Sequence, residues 1–280
     1  MAAFVLSKVR CGIKQKFFIC REGTATEKLR LLIRSDDLGY SEAVNYGIEK
    51  ALSFGMTRSV GLMPNMSSAS HGVELLKNLN VCIGQHTNIC AGRPVSNPEH
   101  IPSLVHPDGT FKSSREYRSA ATDFVALDEA IIEIEAQYVR FKELTGQEPG
   151  YFEGHAVRSA NYMKAVELVA RNHGLKFSEM YQRDQPTARV GTEQAYRWGI
   201  NNLAADYDAV QCLKDVVLTA ERDLPGVYVC HPGYVDDYLM RTSSLNLNRV
   251  KEVAMLTDPA VREWLAKHEV ELISYDDIGN

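Results

Sequence analysis

Long apolar runs, a surplus of basic charge and paired cysteines are all missing from this 280-residue chain, and each absence removes a class of function. No run is long enough to span a membrane. The formal net charge of −5 argues against a broad nucleic-acid surface. That charge is uneven: residues 1–30 hold seven Lys or Arg against two Glu, leaving 24 basic and 34 acidic residues, a net of −10, beyond them. The basic start lacks a signal-peptide core, because Lys8, Arg10, Lys14 and Lys16 interrupt its apolar pieces. Six cysteines, Cys11, Cys20, Cys82, Cys90, Cys212 and Cys230, are sparse and form no C-x-x-C pair, which favours reduced thiols and a cytoplasmic location. There is also no internal repeat and no low-complexity linker.

What remains is ordinary globular material, 45% hydrophobic and 24% charged, enough for one large α/β domain. Residues 1–29 read as a basic extension outside the core and 30–280 as the catalytic domain. The run at 31–33 suits a buried strand. Val44, Ile48, Ala51 and Leu52 then fall at helical spacing behind a Ser41 N-cap and before Gly55. A strand at 60–63, a helix at 70–79 and a strand at 81–86 continue the βαβ alternation, which demands a parallel sheet. Residues 88–123 lapse into Pro, Gly, Ser and His, the composition of a functional loop or lid. Regularity resumes in a helix over 126–144, strands at 151–152, 175–177, 227–230 and 270–274, and a helix opened by Asp258-Pro259. Asp36, His86, His155 and His231 each follow a strand-like run. In a β/α barrel those ends meet at one mouth, so the expected fold is an α/β single-domain distorted barrel of about seven strands, not a doubly wound open sheet.

Three strings carry the chemistry: Arg34-Ser35-Asp36-Asp37-Leu38-Gly39-Tyr40, Gly84-Gln85-His86-Thr87-Asn88 and Phe152-Glu153-Gly154-His155. One carboxylate and two imidazoles can hold a divalent ion with positions left for water and substrate, and a second carboxylate beside the first can serve as base. Adjacent side chains leave an extended strand on opposite faces, so Asp36 and Asp37 need a strand end or turn to take different tasks. We assign Asp37 to the metal and Asp36 to the attacking water. Each residue alone has a plainer reading: a helix-capping Asp pair, a hydrogen-bonded core His86, a turn-capping His231. Glu153 suits a carboxylate that orients an imidazole from behind.

Together with Gly92-Arg93-Pro94, Cys230-His231-Pro232-Gly233-Tyr234 and Glu271-Leu272-Ile273-Ser274-Tyr275, these strings resemble the YdjC/ChbG family of carbohydrate deacetylases, in order from about Leu31 to Asp277. The resemblance implies a polysaccharide-deacetylase-like barrel that removes acetyl groups from N-acetylated sugars such as chitooligosaccharides or their phosphates. It implies Asp36 as general base, Asp37, His86 and His155 as metal ligands, and His231 as general acid. One divalent ion, Mg or Zn, is the implied cofactor, a small acetylated sugar is the partner, and relatives are often dimers, so a homodimer is an option. The chain departs from the commonest pattern: Glu153 stands where many relatives have Asp, and Ala156-Val157-Arg158 replace further histidines, which leaves the acceptor sugar open. Arg93, Arg158, Tyr181 and Tyr234 are candidate sugar contacts. The rival readings are a glycosidase using Asp36 with Glu153 or Asp236 on (phospho)disaccharides, and a non-catalytic sugar-binding protein.

Overall fold

The computed structural model describes residues 28–279, so all but the end of the expected extension lies outside the described residues. The first strand, β1, spans Leu29–Leu38. Its even positions turn inward and its odd positions outward, as the two-residue period requires. Leu31 and Ile33 pack with the helices, Leu32 lies in the barrel floor, and Arg34 and Asp36 continue the inner row above it.

The sheet is built on this strand. β2 (Ser59–Leu62), β3 (Cys82–Thr87) and β4 (Phe152–Gly154) add in parallel on one side. β7 (Gly226–Cys230) adds in parallel on the other, followed by β6 (Glu193–Arg197) and an antiparallel β5 (Thr187–Val190). β8 (Val270–Ile273) pairs with residues Leu29 to Leu32 of β1. Leu31 and Leu32 also pair with β7, so β8 must share the β2 edge, lower down. The gap between β4 and β5 is spanned by single bridges through Phe177 and Ser178, which curl the sheet into a distorted barrel.

The single-domain α/β barrel is therefore as expected, with eight named strands instead of about seven. The β5–β6 hairpin was not anticipated. The 175–177 segment supplies closing bridges but is too short in regular pairing to be a strand. Helix α1 (Glu42–Phe54) starts at Ser41, whose Oγ accepts from the Val44 N–H, as its cap signature predicts. Helix α4 (Leu127–Thr145) ends at Gly146, where φ is 71°, a conformation that favours glycine. The final helix expected from Asp258-Pro259 runs Pro259–Lys267 behind an Asp258 cap. Between β3 and α4 only a 3-10 turn at Pro98–His100 and a short helix at Ser114–Ser119 interrupt the irregular chain. Cys82, Cys90 and Cys230 are free thiols. No helix among the described residues is long and apolar enough to cross a membrane.

Gly84 shows how tightly β3 and the following strand meet. A Cβ there would overlap the ring of buried Tyr151, which itself stacks on Tyr275 with ring centres 3.6 Å apart. Gly84→Ala should therefore lower stability by about 1–3 kcal/mol in chemical denaturation, the usual cost of overpacking. An unchanged midpoint would contradict this packing.

Candidate metal centre

The pairing of β1 with β2 slips between Ser35 and Leu38, and Asp37 takes φ of 76°, in the left-handed region. That local irregularity, rather than the end of the strand, separates the two carboxylates. Asp36 stays on the inner face, with Oδ2 2.7 Å from Arg34 Nη2 and Oδ1 2.6 Å from Arg34 Nε. Asp37 turns toward the mouth. Its Oδ1 lies 3.1 Å from both His86 Nε2 and His155 Nδ1, and those two nitrogens are 2.8 Å apart. Asp37 Oδ2 accepts from Arg249 Nη2 at 2.6 Å, a residue of helix α8 (Leu247–Thr257).

His86 sits near the end of β3 and His155 directly follows β4. Parallel pairing sets His86 opposite Glu153, so His155 follows two residues beyond that level on the neighbouring strand. Glu153 holds the other ring nitrogen of His86, Nδ1, with Oε1, and its Oε2 takes Arg34 Nη2 at 3.1 Å. The expected orienting role of Glu153 thus has a direct contact behind it. On β2, Gly61 makes room for the cluster: a Cβ there would lie 3.0–3.2 Å from His86 Cβ, Asp36 Oδ1 and Glu153 Oε1.

Burial alone would raise the Asp37 carboxyl, but Arg249 and the two imidazoles hold it well below the usual range. Glu153 is likewise lowered, by Arg34 and His86 against burial. Burial opposes charge on both rings, yet Glu153 and Asp36 raise His86 to about 9, and Asp37 holds His155 well above the usual imidazole range. The same negative field suits a divalent cation, which would displace protons from both rings on binding. Three donor atoms of one carboxylate and two imidazoles, all within about the spacing that a tetrahedral ion imposes on its ligands, fit such an ion.

His231 follows β7 and is half-buried. Its N–H donates to Glu252 Oε2 at 2.5 Å, its carbonyl accepts from Arg249 Nη1 at 3.4 Å, and its Nδ1 is 3.2 Å from Asn202 Nδ2. Burial pushes the ring down to about 4, although Asp37 and Asp36 pull the other way.

The candidate sugar contacts fare differently. Arg93 is exposed in the long loop, where Nη1 donates to the Asp108 carbonyl at 2.9 Å. Arg158 is exposed three residues beyond His155, and Tyr234 is 38% exposed with its N–H on the Ala43 carbonyl. Tyr181 packs against Gly199. Sequence reasoning missed the positioning layer. Arg34 had a visible signal, a charge directly after an apolar run and two residues before Asp36. Arg249, Asn202 and Glu252 had none, because their partners are 18 to 212 residues away and no local spacing records that.

Fold and donor set together define a class, an α/β barrel with a candidate single-ion centre at the carboxyl ends of its parallel strands. The chain belongs to the YdjC-like protein family, whose profile matches residues 30–267. It is 31% identical to carbohydrate deacetylase of Geobacillus stearothermophilus, covering 87% of this chain and 96% of that protein. It is 30% identical to carbohydrate deacetylase 2 of Listeria innocua (89% and 99% covered) and 28% to the mouse carbohydrate deacetylase (91% and 97%). A crystal structure from Enterococcus faecalis, of a protein provisionally assigned to cellobiose-phosphate cleavage, shares the fold with a TM-score of 0.73 at 24% identity, covering 89% of this chain and 98% of that one.

Replacing Glu153 by Gln removes the charge behind His86 while keeping its size. Divalent-ion affinity, measured by chelator competition, should fall about 10- to 100-fold. Wild-type affinity in the variant would show that the contact does not orient the ring.

Proposed function

We propose that this protein is a metal-dependent hydrolase that removes N-acetyl groups from a small acetylated carbohydrate, a chitooligosaccharide or its phosphate being the first candidate. The observation that carries the reading is the convergence of Asp37, His86 and His155 beside a second carboxylate, Asp36, that is held by Arg34. Relatives over nearly the full chain named as carbohydrate deacetylases, and one named chitooligosaccharide deacetylase from Klebsiella pneumoniae, support it.

Asp37, His86 and His155 would hold the ion. When bound, it supplies Lewis acidity toward the acetamide carbonyl and acidifies water. Two nitrogen donors favour Zn²⁺ or another transition ion over Mg²⁺, which prefers oxygen. Asp36, fixed by Arg34, takes the proton of the attacking water. His231 supplies a hydrogen to the acetamide from the end of β7. Arg158 and Tyr234, both exposed near the strand ends, are proposed to touch the sugar, and Arg93 to shape the loop that borders it.

The glycosidase reading loses its pair of carboxylates. Glu153 is engaged by His86 and Arg34, and Asp236 caps the helix at Asp237–Thr242 through the Leu239 N–H at 2.8 Å. The deciding assay is acetate release from N,N′-diacetylchitobiose and its 6-phosphate by metal-stripped protein reloaded with Zn²⁺ or Mg²⁺. Asp36→Asn should lower kcat by about 10²- to 10⁴-fold, the typical share of a general base, with the ion still bound. Full turnover in Asp36→Asn, or hydrolysis of the glycosidic bond without acetate, would overturn the proposal.

A further inference from the structure

A histidine expected to act as a general acid needs a proton to give and, as a rule, an acceptor behind it that steadies the charged ring. The surroundings of His231 offer the opposite. No carboxylate is recorded in contact with its ring among the described residues; the group at Nδ1 is the Asn202 side-chain amide, at 3.2 Å. Which end of that amide faces the ring follows from its other neighbour. Asn202 Nδ2 is also 3.4 Å from Glu252 Oε1. Glu252, fully buried, collects the His231 backbone N–H on Oε2 and the Tyr207 hydroxyl at 2.8 Å on Oε1.

An amide turned the other way would set its oxygen against a carboxylate oxygen, two acceptors facing each other in a buried site. With the nitrogen toward both, one amide hydrogen meets Glu252 and the other meets His231 Nδ1. The loop bearing Asn202 is itself pinned, since Asn248 Nδ2 donates to the Asn202 carbonyl at 2.8 Å. A ring nitrogen that accepts a hydrogen bond carries no proton, so the ring hydrogen belongs on Nε2.

We propose that Asn202 and Glu252 fix His231 as the neutral Nε2–H tautomer, so that it meets the acetamide as a hydrogen-bond donor, and that the proton leaving with the amine is the one Asp36 has taken from water. The inference rests on the deacetylase reading for its chemistry but not for the tautomer. The step balances with no further reagent. Water forms the new bond to the carbonyl carbon and gives one proton to Asp36. The carbon–nitrogen bond then breaks with its electron pair on nitrogen, Asp36 returns the proton there, and the second water proton passes from the new carboxylic acid to the freed amine, so that acetate and an ammonium product separate. His231 ends as it began. The charged and titratable groups that face the ring agree only in part: Asp36 and Asp37 of β1 favour a charged ring, while burial, Arg249 of α8 and His86 of β3 oppose it, and the balance lies on the neutral side. Asn202 and Glu252 are positioning residues in this scheme, since they act through the ring.

Two readouts test it on the full chain. In Zn²⁺-loaded protein with ¹⁵N-labelled histidine rings, the His231 resonances, identified by their loss in His231→Gln, should show protonated Nε2 and bare Nδ1 near neutral pH. In Asn202→Asp, a carboxylate behind the ring should place a proton on Nδ1. On activity, His231→Ala should lose about 10²-fold or more in kcat, the effect of removing one transition-state donor. His231→Gln, which keeps a neutral N–H but cannot give up a proton, should retain at least about tenfold more turnover than His231→Ala. A proton on Nδ1 in the wild type, or Gln as inactive as Ala, would overturn the proposal. Failure of the wild type to release acetate would instead overturn the deacetylase reading, and the ring resonances would still decide the tautomer.

Discussion

Charge buried at the carboxyl end of the barrel is the constraint on which the rest of this structure depends. Asp36, Asp37, Glu153 and His86 are each at most 3% exposed, and ionised groups at such depth are tolerated only when paired and hydrogen-bonded. Two buried guanidiniums do the pairing. Arg34 rises from the same strand as Asp36 and clamps it to Glu153; Arg249 arrives from α8 and holds Asp37. In direct contact, three carboxylates thus meet two arginines, and the unbalanced negative charge lies on Asp36 and Glu153, which share Arg34 beside His86, one of the two imidazoles that converge on Asp37. A cation completes that arrangement, which is why the same contacts that stabilise the fold also specify the chemistry.

Support for the site reaches well beyond it. Below Arg34, the Tyr275 hydroxyl accepts from Nη1 at 3.0 Å and shares a hydrogen bond with Ser178, whose hydroxyl also meets Arg197. Through this column the last strand, the closing bridge and β6 all bear on the residue that holds the proposed base. On the other flank, helix α4 fixes the start of the long loop. Gln137 takes the Asn88 N–H and gives to the Asn88 carbonyl, and fully buried Glu133 collects the Val95 and Ser96 N–H groups and the Ser96 hydroxyl. The loop that follows His86 is therefore pinned at both ends of its first turn, and the histidine is held from its own chain as well as by Glu153.

Much of this was legible in the chain, for physical reasons that can be named. Strand runs, the Ser41 and Asp258 caps and the Gly146 stop are local signals, and local signals survive without a structure. The donor residues were legible because each ends an apolar run, and a parallel barrel gathers such ends. The β5–β6 hairpin was not, because the alternation in Thr187–Val190 lasts only four residues and Glu193–Arg197 is mostly polar, too little pattern to mark a strand. Nor was the left-handed turn at Asp37, which an aspartate adopts without any glycine to announce it. The positioning residues were hidden for a different reason: Arg249 meets Asp37 across 212 residues of chain, and a buried arginine in an amphipathic helix looks, in sequence, like any solvated one.

The central claim is that this buried charge is organised around one divalent ion. Counting bound metal by elemental analysis in purified wild type and in Asp37→Ala, after equilibration with Zn²⁺ and removal of free ion, tests it most directly. One ion per chain in the wild type and none in the variant is the predicted result. A wild type that retains no ion, or a variant that retains as much as the wild type, would contradict the account.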